Sequence, residues 1–521
     1  ASSSILRNCQ FIGNSAKDGG GAYFEYGTSL IEGCVFESNT STDEGGGIHV
    51  SYSSHVTITG CQVKNNFSGF DLGGGIWNGL GGSSSLSGSV VCANSPGQIA
   101  GPWEDNGSNY IGEVCPNTWV VAQDGSGDFT TIQSAIDAAF TGDTVLIGPG
   151  VYQVSDGSAV VSLGGKRITL RGTVDPESGQ PLTIVDGQGK RRSFYCTDSV
   201  CEGSLIEDIE FTNGNGDAGG AAHVRNAVLT FNGCIFSNSY SFDGGDGVGW
   251  GCGGGLYAYD VSQINLSDCI FRQNVSEVSG AGLFLHEVDG QIEGCLFEWN
   301  QAEDDGGGLV VYNCNPQIKD CVIRSNTAAE KGGGIAYFLG SGGSLINCQI
   351  LSNEVTYGYP KSFGGGVYVY QSSPWIYECL VSGNNDPHAG GGISTESSNS
   401  LIENCVITKN TGAQAGAWIR LSSPTFVNCS ITSNIGEITG GVAMDSSTLS
   451  FSGCVIVSNQ GEACGGIHDL AASTSSLIDC IVCGNINGQI CDNYSDQGGN
   501  TVEEFCADTD GDGIPDGADN C

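Results

Sequence analysis

The most specific chemical pattern lies at the C-terminal end, where Asp508, Asp510, Asp512, Asp516 and Asp519 are spaced closely with glycines between them. That spacing gathers several hard carboxylate oxygens around one ion, and the ion suited to many oxygen donors is Ca²⁺. Calcium is therefore the expected cofactor. A second group is aromatic. Tyr23, His49, Trp77, Tyr257, Phe284 and Tyr368 each follow a glycine-rich triplet, in a column that continues through His223, Val310, Ala336, Ser394, Ile419, Ala443 and His468. Side chains in this column should face outward, where ring faces stack on sugars or on a partner's apolar surface; a self-stabilising aromatic stack is the plainer alternative. The six histidines show neither a Ser/His/Asp arrangement nor a zinc-type spacing.

The cysteines divide into two kinds. Cys9, Cys34, Cys61, Cys234, Cys269, Cys295, Cys321, Cys348, Cys379, Cys405, Cys429, Cys454 and Cys480 follow a turn-type residue and precede, five positions on, an asparagine, which is replaced by Ser239 after Cys234. These read as small buried residues, because neighbours about 4.8 Å apart in a strand stack are slightly too far for a relaxed disulfide. Off the ladder, Cys92 with Cys115, Cys196 with Cys201 and Cys483 with Cys506 are expected to be bridged, which implies an oxidising, extracellular or cell-surface setting.

Elements that position these groups must recur every coil. From Cys269 onward the ladder steps are 24 to 27 residues, with one of 31, and such a period means a solenoid. In the stretch 305–326 the triplet Gly306 to Gly308 precedes Leu309 to Val311, a turn at Asn315 and Pro316, then Ile318, Asp320, Cys321, Ile323 and Asn326. Alternating β-branched residues without a 3.6-residue period predict three short strands per coil. The residue before each ladder cysteine is Gly, Asn or Asp, except Glu378, as a left-handed bend requires. The fold class is therefore all-β, a right-handed parallel β-helix. The ten cysteines from Cys234 to Cys480 imply roughly 43 Å of stacked coils.

Glycine triplets followed by an apolar residue, with Phe-x-x-Asn at Phe36 to Asn39, Phe271 to Asn274 and Phe297 to Asn300, resemble the repeats of polymorphic outer-membrane proteins and related right-handed β-helices. The opening Asp124, Gly125, Gly127, Asp128, Phe129, Ile132, Ala135 and Gly150, Val151, Tyr152 resembles the start of pectin methylesterases and the wider pectin-lyase-like group. The catalytic motifs of that group are not found: Gly220 to Val224 stands where the esterases carry a glutamine-led motif, and the expected aspartate after Phe236 is missing. The C-terminal aspartates, with Asn520 and Cys521, resemble a thrombospondin type 3 repeat, which implies the same calcium assignment.

Residues 91–115 and 482–506 align without a gap: Val91, Cys92, Asn94, Gly97, Gln98, Ile99, Asp105, Gly107, Asn109, Glu113 and Cys115 recur as Val482, Cys483, Asn485, Gly488, Gln489, Ile490, Asp496, Gly498, Asn500, Glu504 and Cys506. Two copies of one closing unit imply two β-helices in tandem: residues 1–115 the C-terminal part of a first, 116–506 a second that opens with a cap helix near 130–140, and 507–521 the calcium segment. The start of the first has no cap, so its expected partner is an adjoining part of the same parent chain or a second copy stacked head to tail.

Seventeen basic residues against 57 acidic ones give a net charge of −40, which disfavours nucleic acid. No apolar run is long enough to insert in a membrane. Sequons at Asn39, Asn66, Asn106 and Asn274 are glycosylation candidates. The expectation is a non-enzymatic extracellular structural protein, a stalk, adhesin or fibre subunit. The alternatives are a polysaccharide lyase or hydrolase and a glycan-binding module.

Overall fold

The computed structural model describes residues 3–70, 73–107, 109–197, 201, 203–244, 251–356, 363–492 and 494–506. The five C-terminal aspartates lie outside the described residues. The chain forms two compact units, residues 1–117 and 118–521. In both, every strand pairs parallel with the equivalent strand one coil away; for example, Ile323 lies between Phe297 and Ile350. Residues 118–506 build sheets of 26, 14 and 9 strands, and residues 3–112 build four smaller ones.

A representative coil runs through strands Leu309–Tyr312, Gln317–Lys319 and Val322–Arg324. A fourth, two-residue strand, Thr327–Ala328, follows the asparagine and is an element the sequence pattern does not disclose. Asp320, before Cys321, has φ of 53°, and all thirteen residues preceding ladder cysteines have φ between 49° and 64°, Glu378 included. The residue before each ladder asparagine is also left-handed, yet is often Ser38, Trp299 or Lys409 rather than glycine. No residue type marks this second bend, because the asparagine that follows it holds the backbone.

Asn326 shows how. Its Nδ2 donates to the Phe297 carbonyl and to Asn353 Oδ1, both at 3.0 Å, while its Oδ1 accepts from the backbone N–H and Nδ2 of Asn300 at 3.0 and 2.9 Å. Every lone pair and proton of the amide is used, so a polar group is buried without an unsatisfied atom. The same link runs without a break from Asn274 to Asn485.

Beside this amide column the ladder cysteines are free and buried, apart from the half-buried Cys9. The apolar residues two positions on complete the inward face. Phe236, Phe271 and Phe297 stack at 4.7 Å, the spacing of adjacent coils. In the second unit one core runs from Val121 to Val482. Its open end is covered by helix α1 (Ile132–Ala138), which buries Ile132, Ala135 and Ile136. The helix is capped by Thr131, which accepts from the Ser134 N–H; Asp128 instead accepts from the Val120 N–H. Burying each isoleucine contributes about 1.5–3 kcal/mol while covering strand edges.

Among the described residues four disulfides are present: Cys92–Cys115, Cys196–Cys201, Cys483–Cys506 and Cys464–Cys491. The sequence reading does not pair the last two cysteines, which sit one coil apart in different strand contexts. Their shared signal is that both fall off the ladder with a separation of 27 residues.

Candidate functional site

The outward column exists, but its environment differs along the chain. Its register is Tyr23, His49, Trp77 in the first unit and His223, Tyr257, Phe284, Val310, Ala336, Tyr368, Ser394, Trp418, Ala443, His468 in the second. Trp418 replaces Ile419, expected there; Ile419 is in the core, because the degenerate triplet begins at Gln414.

Tyr257, Phe284 and Tyr368 are corrected from open contact residues to buried ones, with 2%, 6% and 2% of their surface exposed. The cause is the residue immediately before each triplet. In the second unit Ala218, Cys252, Phe363 and Ala389 occupy that position and fold over the column to make a second hydrophobic cluster. One polar pair is set into this layer: Asp305 and Lys331, 3.3 Å apart. Burial pushes the Asp305 carboxyl up to about 6 despite the opposing Lys331 ammonium.

Three of the glycosylation candidates are likewise corrected. Asn39, Asn66 and Asn274 are at most 1% exposed and spend their side-chain amides in the ladder, leaving no nitrogen for a glycan. Asn106 is exposed.

In the first two glycine triplets of the first unit the pre-glycine residues are Asp18 and Glu44, and the column opens into a cleft of 270 Å³ lined by Lys17, Asp18, Tyr23, Asp43, Glu44 and His49. Gly19 and Gly45, with φ of 59° and 65°, make the reversals that bring each carboxylate beside the residue five positions later. Tyr23 remains 41% exposed and its ring meets His49 edge-on at 4.8 Å. Trp77 is half-buried, and its Nε1 donates to Glu44 Oε2 at 2.9 Å. His49 is 4% exposed, corrected from an open contact, and neither ring nitrogen makes a hydrogen bond of normal geometry, although the Glu44 backbone and carboxylate lie near them. Burial lowers its affinity for a proton, outweighing Glu44 and Asp18. The Asp18 carboxylate, the Glu44 carboxylate and the His49 imidazole each offer one donor atom, all within 4.8 Å of one another. Sequence spacing missed this cluster because its members come from two coils.

The second unit holds a cationic recess of 480 Å³, lined by Lys190, Arg191, Arg192, Ser158, Asp217 and Phe242. Arg192 is paired with Asp217 and lies over the Tyr195 ring. Arg191 is 7% exposed; Nη2 donates to the Ser155 carbonyl at 3.2 Å, whereas Nε and Nη1 have no partner. Beside this group the His223 Nδ1–H donates to the Ala218 carbonyl, 3.0 Å away, and burial followed by the Arg192 charge pushes its imidazole down to about 4. The overall charge conceals this local reversal of sign. Gly220 to Val224, the segment aligned with the esterase motif, thus places a neutral imidazole near a guanidinium rather than an amide donor.

Parallel coils, ladders inside and short turns outside define a right-handed β-solenoid. The family model for a right handed beta helix region matches residues 1–107, 254–360 and 350–485, more than half of the sequence, and the chain belongs to that family. Among solved structures, the A-module of a mannuronan C-5 epimerase from Azotobacter vinelandii matches at 14% identity over 72% of this chain and 94% of that one, with a TM-score of 0.30. A surface adhesin of Streptococcus pneumoniae matches at 12% identity over 72% and 89%, TM-score 0.33. A pectate lyase matches at 12% identity over 73% and 79%, TM-score 0.27. No curated protein matches the sequence. Among the described residues no helix is long and apolar enough to cross a membrane.

Proposed function

We propose that the chain is an extracellular structural protein, a tandem β-helix serving as a surface stalk, an adhesin or a unit of a head-to-tail fibre, and not an enzyme. The observation that carries this reading is continuity: in the second unit one hydrogen-bonded sheet runs from strand Thr118–Val121 to strand Tyr494–Asp496 over a single core. Four disulfides support an oxidising, extracellular location. In the first unit the strands Ile5–Arg7 and Gln10–Ile12 pair on one side, and Ile5 and Ile12 are 64% and 53% exposed. That surface suits adjoining coils of the parent chain or the end of another copy. The test is incubation of the full chain with neutral and acidic polysaccharides, scored for new reducing ends and unsaturated products. None is expected; turnover lost on changing His223 or Arg192 overturns the structural reading. Light scattering then separates fibre from stalk, since only a fibre grows with concentration.

A second reading, contact with an acidic glycan, is favoured by the recess of Lys190, Arg191 and Arg192. Guanidinium groups pair two-pronged with carboxylates, and Phe242 beside them, 39% exposed, offers a ring face. Calorimetry with an oligouronate should show binding that Lys190→Ala weakens and salt screens; equal binding by the variant excludes this recess. Calcium at the aspartates from Asp508 to Asp519 is proposed on their spacing alone, and titration with Ca²⁺ that is unchanged by Asp512→Asn excludes it.

A further inference from the structure

We propose that Asp18, Glu44 and His49 form a binding site for a divalent transition-metal ion, with Zn²⁺ the ion whose chemistry matches the donors.

The site is built by the repeat itself. Asp18 and Glu44 each precede the first glycine of a triplet in consecutive coils, and the Gly19 N–H donates to the Glu44 carbonyl at 2.9 Å, so the two carboxylates project from adjacent layers. His49 belongs to the same coil as Glu44 and pairs in register with Tyr23 of the coil before. Donor atoms around a zinc ion at bond lengths of about 2.1 Å lie roughly 3 to 4 Å apart. The three donors here lie within 4.8 Å of one another, and the Glu44 Oε2 to His49 Nε2 separation is 3.8 Å. Small rotations of the two half-buried carboxylates close the remainder.

The decisive observation is His49. Its ring is almost wholly enclosed, and neither nitrogen makes a hydrogen bond of normal geometry, the Glu44 carboxylate standing 3.8 Å from Nε2 and the Glu44 backbone giving only a weak contact. An enclosed polar group without a good hydrogen bond is destabilising, so such a ring calls for an explanation that a bound cation supplies. The environment also has the features of a supported metal site. Trp77 Nε1 fixes one Glu44 oxygen from outside the donor set, as outer partners of ligating carboxylates do. Tyr23 covers one side of the imidazole. Lys17 is 3.1 Å from Asp43 and 3.9 Å from Asp18, so its charge is directed first to Asp43.

A comparison within the chain sharpens the point. In the second unit the pre-glycine Asp305 meets Lys331, the pre-glycine residue of the next coil, and the carboxylate is neutralised internally. The residue in the corresponding position after Glu44 is Leu72, which precedes Gly73 and carries no charge. Beside the imidazole, two carboxylates therefore meet no lysine from the pre-glycine position of the following coil, and among the described residues the only ammonium near them is Lys17, which lies closer to Asp43. The imidazole argues against Ca²⁺ and Mg²⁺, which take oxygen donors. Three protein donors leave a further position facing the cleft for water or an exogenous ligand.

The experiment is titration of chelator-treated full chain with Zn²⁺ alone, with Co²⁺ as spectroscopic probe because free cysteines are also present. Expected is one equivalent of Zn²⁺ lost in His49→Gln, and a Co²⁺ spectrum with weak visible bands but no thiolate charge-transfer band. Asp18→Asn, at a half-exposed position, should weaken binding at least tenfold with circular dichroism unchanged, which keeps the test readable if His49→Gln disturbs folding. Trp77→Phe should weaken it about 10- to 100-fold. Zinc binding unaffected by His49→Gln and Asp18→Asn, a thiolate band, no binding at all, or a preference for Ca²⁺ that survives His49→Gln each overturn the proposal.

Discussion

Gln489 closes a column of amides that begins more than two hundred residues earlier: its Oε1 accepts from Asn485 Nδ2 at 2.7 Å and from the Asn485 N–H at 3.0 Å, and its Nε2 returns to the Asn485 carbonyl at 3.0 Å. Gln98 does the same for Asn94 in the first unit. The neighbouring cysteine column is closed by another amide, Asn500 accepting from the Cys480 N–H and Asn109 accepting from the Ser89 N–H. Asp496 and Asp105 each accept from those amides at 2.6 Å. A stacked ladder leaves one layer of unpaired groups at its end, and the repeated closing unit supplies a partner for each.

Gln489→Ala should therefore destabilise the second unit by about 2–4 kcal/mol, since the Asn485 N–H and Nδ2 lose their acceptor. Urea unfolding followed by circular dichroism measures it. Gln489→Glu, which retains an acceptor, should cost less.

Within the column, Asn326→Ala removes four hydrogen bonds and strands the Asn300 donors and the Phe297 carbonyl. A loss of about 3–5 kcal/mol is expected, again from the urea midpoint. A cost below about 1 kcal/mol would mean that water replaces the amide.

Glu378 is exposed and sits at φ of 52°, in the bend that other coils fill with Gly, Asn or Asp. Glu378→Gly should raise stability by about 1 kcal/mol by removing left-handed strain from a residue with a Cβ. Differential scanning calorimetry would register a higher Tm; an unchanged or lower one contradicts the strain argument.

Alkylation of the unreduced native chain should leave the ladder thiols unlabelled. They are buried and so shielded from the reagent, and burial pushes the Cys61 thiol up to about 11, leaving little thiolate there at neutral pH. Cys9, half-buried at the edge of the first unit, should label first. Peptide mapping should return Cys92–Cys115, Cys196–Cys201, Cys464–Cys491 and Cys483–Cys506 as linked pairs.

Asp305 has a folded pKa of about 6, above its ordinary 3.8. The folded state therefore holds this proton more tightly than the unfolded one. Its stabilising contribution is fully present below pH 3.8 and is lost as pH rises through about 6. Asp305→Asn abolishes that loss, so the stability of the variant relative to the parent should increase between pH 4 and pH 6 and then level off. Paired urea titrations across this range test it, and a constant difference contradicts it.

Much of the architecture was legible from residues alone because a solenoid repeats its local rules. The left-handed bend before Cys321 demands Asp, Asn or Gly, and the inward pair Cys321 and Ile323 alternates with exposed neighbours. Closing units announced themselves by repetition at Gln98 and Gln489. The second bend, at Ser38 or Trp299, did not, because Asn39 and Asn300 hold it by bonds to other coils rather than by backbone preference.

The candidate site was legible only in part. Tyr23, His49 and Trp77 were placed on one outward column by counting from the glycines, and so were Tyr257, Phe284 and Tyr368. Sequence by itself thus determined the period, the inward and outward faces and the ends of the ladders, because these follow from residues within one coil. Only the tertiary structure decided which outward residues remain open, which asparagines are sealed, and which carboxylates meet His49. Those outcomes depend on side chains about 25 residues apart that become neighbours when coils stack at about 4.8 Å. The residue before each glycine triplet then either covers the column, as Phe363 does, or leaves an acidic cleft, as Asp18 and Glu44 do.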